Sequence, residues 1–195
     1  MPGPAASAVS VVCRDGTVLA EREAKATDGV IVVDALPIRR QSVDLYTRLA
    51  RALEPLERIA RGSEVGFTLV RSPDLPAKVV LDAEKVVWAI ATLVGNSLRY
   101  VRRGNRVLPG GSVTVSMAVD TKANEVKIDV EDDGPGMPES AAVVLRGGSS
   151  ADANAPALAL VSDVVKAQGG RIDVKSSQDA FDHGTKVTIH LPLDA

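Results

Sequence analysis

Apolar side chains recur along this chain with two different periods, and the places where one period gives way to the other mark its elements. From residue 42 to 61, "SVDLYTRLARALEPLERIAR" sets Leu45, Leu49, Leu53, Leu56 and Ile59 at helical spacing, with Pro55 expected to kink the helix. "VGFTLV" then reads as a strand and "DLPAKVVLD" as an extended segment. Asp82 is placed to cap a second helix, "AEKVVWAIATLVGNSLRYVRR". Around that helix Val86, Ile90, Leu93, Val94, Ser97, Leu98 and Val101 share one broad face, while Thr92, Asn96, Arg99 and Arg103 share the opposite one. One side is expected to be buried and the other to present a polar stripe.

After the Gly-Pro loop "GNRVLPGGS" the period drops to two, and "VTVSMAV" and "EVKIDVE" alternate as a strand pair around the turn "DTKAN". "ESAAVVLRGGSSADANA" reads as a short helix followed by a mobile loop of small residues. Pro156 opens a further helix, "PALALVSDVVKAQ", which Gly169 and Gly170 stop. Two more alternating strands, "RIDVK" and "TKVTIHLP", flank the polar loop "SSQDAFDHG". This order predicts an α+β fold, a two-layer α/β sandwich in which helices cover one face of a mixed sheet. Near the start, "AVSVV", "RDGT" and "VLAE" read as a hairpin around Asp15 and Gly16, followed by "GVIVV". Residues 1–35 are therefore expected to form a small β extension of unknown role, and residues 36–195 the main domain.

Composition narrows the partners. With 23 basic residues against 25 acidic ones, the chain lacks the electrostatic footprint of a nucleic-acid binder, and no nucleic-acid partner is expected. Cys13 is the only cysteine, which excludes an internal disulfide and a cysteine-based zinc site and suits a reducing compartment. No apolar run approaches the ~18 residues of a membrane span. The start "MPGPAASA" lacks the basic and apolar regions of a secretory signal, so this segment is expected to be cytoplasmic.

The candidate chemistry lies in three places. "VEDDGPGMP" ends an alternating strand in Asp132-x-Gly134-x-Gly136; Asn96 sits within a helix; Gly184-Thr185 precedes the last strand. Taken singly, these are an ordinary turn, a surface amide and a bend. In this order and spacing they resemble the GHKL ATPases, and more narrowly the ATP-binding catalytic domain of bacterial sensor histidine kinases, with its Bergerat-type sandwich. "LVGNSLRYV" stands where that family has its asparagine box, "VEDDGPGMP" where it has its first glycine box, "ALALVSDVVKAQGGRIDVKS" at the second, and "HGTKVTIHLP" at the last box. The likeness covers roughly residues 40 to 195.

The resemblance implies ATP and Mg²⁺ as cofactors. Asn96 would hold the Mg²⁺ that bridges the phosphates, with Arg99 near those phosphates and Tyr100 near the adenine or ribose. Asp132 would accept the adenine amino group, Gly134 and Gly136 would let the backbone pass beneath the base, and Thr185 would support Asp132 or a water beside it. The chemistry is consistent with these roles. Mg²⁺ prefers oxygen ligands, and an amide carbonyl supplies one without adding negative charge beside a triphosphate. A carboxylate only accepts hydrogen bonds, so it selects the adenine amino group over the carbonyl of guanine. Glu131 and Asp133 read as solvated acids. The implied function is phosphoryl transfer from Mg-ATP to a His on dimerisation helices, in the same longer chain or in trans, with a response regulator as downstream partner in a two-component system.

Three departures qualify that function. Thr92 occupies the position where histidine kinases carry a second Asn and hydrolysing GHKL proteins a Glu base, so hydrolysis of the gyrase type is disfavoured. Ala155, Ala157 and Ala159 replace the glycines that bring amides against the phosphates at a helix N-terminus. Alanine in a left-handed conformation costs ~1–2 kcal/mol, so this stretch is expected to adopt a different turn or extend the helix. Gly147 and Gly148 are the less favoured alternative source of loop amides. Finally, neither His183 nor His190 is placed as a phosphoacceptor, and this chain alone is not expected to autophosphorylate. The competing interpretation is a nucleotide-incompetent scaffold that docks a signalling partner.

Overall fold

The computed structural model describes residues 7–12, 18–27, 30–33, 37–149, 155–179 and 183–193. The chain divides into two compact units, residues 1–39 and 40–195. In the first, β1 (Ser7–Val12), β2 (Val18–Thr27) and β3 (Val30–Val33) form an antiparallel sheet in the order β1-β2-β3. β1 pairs with β2 as the hairpin reading requires, while the Asp15–Gly16 turn itself lies outside the described residues.

The second unit begins with β4 (Gln41–Val43), followed by α1 (Leu45–Gly62), β5 (Gly66–Arg71), β6 (Val79–Leu81) and α2 (Ala83–Tyr100). β7 (Ser112–Asp120), β8 (Glu125–Asp132), α3 (Glu139–Leu145), α4 (Pro156–Ala167), β9 (Arg171–Gln178) and β10 (His183–Pro192) complete it. Five strands form one mixed sheet in the order β5-β7-β8-β10-β9, with β5 and β7 parallel and the other neighbours antiparallel. Helices pack on one face of it, as an α+β two-layer sandwich requires.

Several boundaries differ from the sequence reading for local reasons. Ser42 and Val43 do not start α1 but belong to a short strand, residues 41–43, paired with β6. The helix begins after Asp44, whose carboxylate accepts from the Thr47 N–H at 3.0 Å. It then runs on through Pro55 without interruption. α2 stops at Tyr100 rather than Arg103, because Val101 turns to an extended conformation and Arg102 starts a loop closed by the Gly111 N–H to the Arg102 carbonyl at 2.8 Å. β9 and β10 are longer than predicted and take in most of "SSQDAFDHG"; residues 180–182 of that loop lie outside the described residues, as do residues 150–154 of the small-residue loop.

Strand register builds the core in rows. Val115, Val130, Val187 and Val174 lie opposite one another across four strands, and Met117, Ile128, Ile189 and Ile172 form the next row. All eight are buried. Against them α2 sets Val86, Ile90, Leu93 and Val94, and α4 sets Val161, Val164 and Val165, all buried. At ~1.5–3 kcal/mol per fully buried aliphatic side chain, this helix-on-sheet layer is the main source of stability. Because strand side chains alternate, the opposite face is polar. There Thr188 donates to Asp129 at 2.6 Å, and Lys186 pairs with both Asp129 and Glu131 at 3.1 Å. The hydrogen bond to Glu131, followed by that to Asp129, holds the Lys186 ammonium above its ordinary pKa. Glu131 is thus an ion-pair partner on the outer face.

A second polar knot ties α2 to α4. Asp82, 3% exposed, accepts from the Lys85 N–H at 3.3 Å and pairs with its ammonium at 2.8 Å. Its own N–H donates to the Gln168 side chain at 2.9 Å. Asp82→Ala would remove the cap and leave a largely buried ammonium without this carboxylate. Urea denaturation is expected to show a loss of about 2–4 kcal/mol, with Asp82→Asn losing less than half of that.

Candidate functional site

The third row of the sheet is where the core face turns polar. Val113, Asp132, Thr185 and Ser176 occupy it in register, one step beyond the Val115 row and on the same face. Above this row lies the C-terminal turn of α2, whose buried Val86–Leu98 face fixes its height and rotation over the sheet. Between them opens a cavity of about 450 Å³. Such a volume falls within the usual range for small-molecule sites.

The sequence-predicted residues converge here. Asn96, Arg99 and Tyr100 from α2, Asp132 from the end of β8, Gly136 from the following turn and Thr185 from β10 all line the cavity. Asn96 is half-buried, Arg99 is exposed and Tyr100 is 62% exposed at the rim. The polar stripe of α2 is therefore divided: its Asn96 and Arg99 border the cavity, whereas Thr92 bonds back to its own helix, donating to the Trp88 carbonyl at 2.9 Å. Gly134 does not line the cavity but lies directly behind Asp132, donating its N–H to Oδ1 at 3.0 Å. A Cβ at Gly134 would stand 2.9 Å from that same oxygen.

Gly136 has φ +82°, and a Cβ there would meet the Ser177 carbonyl oxygen at 2.2 Å. The turn is thereby pressed onto β9, where the Met137 N–H donates to Ser176 Oγ at 2.6 Å. Thr185 Oγ1 lies 3.2 Å from Ser176 Oγ, so its hydroxyl belongs to this bracing of the turn. His183 donates from Nδ1 to the Gly134 carbonyl at 2.8 Å and braces the turn from the other side. Asp133 faces away, accepting from the Ser112 N–H at 2.7 Å and its hydroxyl at 3.0 Å.

Sequence reasoning missed Ser97. It was placed on the apolar face of α2 and assigned no chemistry, yet its hydroxyl donates to Asp132 Oδ2 at 2.6 Å from inside the cavity. The available signal was a lone hydroxyl in an otherwise apolar helix face beside Asn96, since a buried polar group requires a partner.

The cavity also has an apolar wall, to which Ala155, Pro156, Ala157 and Leu158 contribute together with Met137, Pro138 and Ala141. As expected, the alanines extend the helix: Pro156 occupies its first turn, and no residue from Ala155 to Ala159 has positive φ. The Leu158 and Ala159 N–H groups both turn back to the Ala155 carbonyl, at 3.0 and 3.1 Å. Gly147 and Gly148 offer no replacement amides, because their N–H groups close α3 by bonding to the Val144 and Val143 carbonyls at 2.9 Å. His190, buried at 7% exposure, lies on the outer sheet face between Glu125 and Asp173, 3.2 and 3.0 Å away.

A mixed sheet, a helix layer on one face and a cavity between an Asn-bearing helix and an Asp-x-Gly-x-Gly turn define a Bergerat-type ATPase domain. The family model for histidine kinase-, DNA gyrase B- and HSP90-like ATPases matches residues 81–195, more than half of the chain, and the chain belongs to this family. The sensor histidine kinase ZraS of Klebsiella oxytoca is 25% identical over 160 residues, which cover 80% of this chain and 32% of that protein. This chain thus spans about a third of the length of that relative. Among solved structures, full-length ShkA in complex with AMPPNP superposes with a TM-score of 0.65 at 21% identity, over 81% of this chain and 32% of that one. The mycobacterial sensor histidine kinase MprB gives 0.59 at 25% identity, covering 79% of this chain and 97% of that chain. Among the described residues no helix is long and apolar enough to cross a membrane.

Gly136→Ala tests the turn. A left-handed alanine and a methyl on the Ser177 carbonyl together are expected to cost about 2–4 kcal/mol in chemical denaturation. A change below about 0.5 kcal/mol would show that the turn is not held as described.

Proposed function

We propose that the unit spanning residues 40–195 binds Mg-ATP in this cavity and positions it for phosphoryl transfer to a His on another segment or protein, in two-component signalling. The observation that carries this is the convergence of Asn96 and Asp132, far apart along the chain, on the walls of one cavity. The residues present fit an adenine nucleotide at the base end. Each Asp132 oxygen accepts one protein hydrogen bond and retains a lone pair for an incoming amino donor. Asn96 offers a neutral oxygen suited to Mg²⁺, and Arg99 a fixed positive charge toward phosphates. Tyr100 at the rim supplies a ring face beside the base or ribose.

When bound, Mg-ATP supplies the transferable phosphoryl group. Positioning and charge stabilisation are the protein's part in such a transfer, so a general base within this domain is not required. Thr92, engaged with its own helix, does not provide one, which favours transfer to a partner over hydrolysis. The acceptor His belongs on dimerisation helices, in the same longer protein or in trans. His183 braces the glycine turn and His190 is buried on the opposite sheet face, so neither serves as that acceptor.

The phosphate end is weaker than the base end. Pro156 has no N–H, and the Leu158 and Ala159 amides bond back to the Ala155 carbonyl, which leaves Ala157 as the first-turn residue whose N–H makes no such bond. Each charge-assisted bond forgone there is worth ~1.5–3 kcal/mol, or roughly one to two decades of affinity. Calorimetric titration of Mg-ATP and Mg-ADP is expected to show binding that Asp132→Asn abolishes. Absence of heat with either nucleotide at millimolar concentration would leave only a partner-docking scaffold. Radiolabel transfer from ATP to a supplied His-bearing helical domain separates a kinase from a nucleotide binder.

A further inference from the structure

Asp132 is gripped by two donors from different elements. Its Oδ1 takes the Gly134 N–H at 3.0 Å, and its Oδ2 takes the Ser97 hydroxyl at 2.6 Å. An ionised carboxylate can only accept, so the hydroxyl proton of Ser97 points at Asp132. Ser97 is itself 8% exposed, locked in the packed face of α2, and lines the cavity. Thr185, across the strand from Asp132, is engaged with Ser176 in holding the glycine turn. Of the described side chains, Ser97 is the one with a direct hydrogen bond to the Asp132 carboxylate.

We propose that Ser97 is a positioning residue that sets the base selectivity of the site, by holding the Asp132 carboxylate in the orientation that meets the 6-amino group of an adenine. The proposal rests on the reading that the cavity binds an adenine nucleotide. An aspartate at a strand end turns about two side-chain bonds. Anchoring both oxygens removes that freedom before the ligand arrives, which is the general route by which preorganisation raises affinity. The same arrangement acts against a 6-oxo purine. With its proton committed to Asp132, Ser97 has only lone pairs left for the cavity, so a carbonyl at that position meets acceptors alone.

The test compares ATP with purine riboside triphosphate, which lacks the 6-amino group, by calorimetry on the whole chain. The wild type is expected to prefer ATP by about tenfold or more, the worth of a hydrogen bond to a charged group. Ser97→Ala is expected to weaken ATP about tenfold, to leave the 6-desamino ligand within about twofold, and so to erase the preference. Ser97→Cys keeps the bulk but donates weakly, and is expected to lose the preference in the same way. Equal weakening of both ligands by Ser97→Ala, or full discrimination by the cysteine variant, would show a packing role and overturn the inference while leaving nucleotide binding intact. If the wild type bound neither ligand, the nucleotide reading and this inference would fall together. Thermal unfolding of each variant confirms that the folded state is being compared.

Discussion

The seating of α2 on the sheet governs both the core and the site. Val86, Ile90, Leu93 and Val94 pack onto the inward rows of β7 and β8, and close packing leaves that helix little freedom to slide or rotate. Once those four are placed, helical geometry carries Asn96 and Ser97 over the end of β8, where the core face changes from valine to Asp132. The 2.6 Å contact between Ser97 and Asp132 is then a consequence of packing several residues away.

The Asp132 turn and the start of α4 border the same cavity but are built differently. Around Asp132, a hydroxyl, two backbone amides and a histidine donor fix one carboxylate and one tight turn in place. Around the start of α4, a proline and alanines form the first turn, and the N–H groups of Gly147 and Gly148 are spent on closing α3. In this histidine-kinase-type ATPase domain the Asp132 turn is thus held by supporting contacts from three elements, while the first turn of α4 contributes a proline and alanines.

Much of this was legible beforehand. Period-two and helical alternations located β7, β8, α2 and α4, and the motif order brought Asn96, Asp132, Gly136 and Thr185 together as one candidate site. The errors fell at boundaries and on side chains whose role depends on a distant partner. Residues 41–43 pair with β6 across a long separation, which no local pattern announces. Gly147 and Gly148 look available in the sequence because a helix C-terminus takes up their amides only once α3 has formed.

Ser97 marks the division most sharply. Sequence alone determined that it lies on the buried face of a helix next to an amide, since that follows from a period of 3.6 and the identity of its neighbours. Which atom it touches was decided by tertiary structure, because the strand carrying Asp132 is 35 residues away and reaches the hydroxyl only through the packing of α2 on the sheet. Local pattern sets the face a side chain occupies. The partner on that face is chosen by the three-dimensional fit of two elements whose separation in sequence carries no information about their distance.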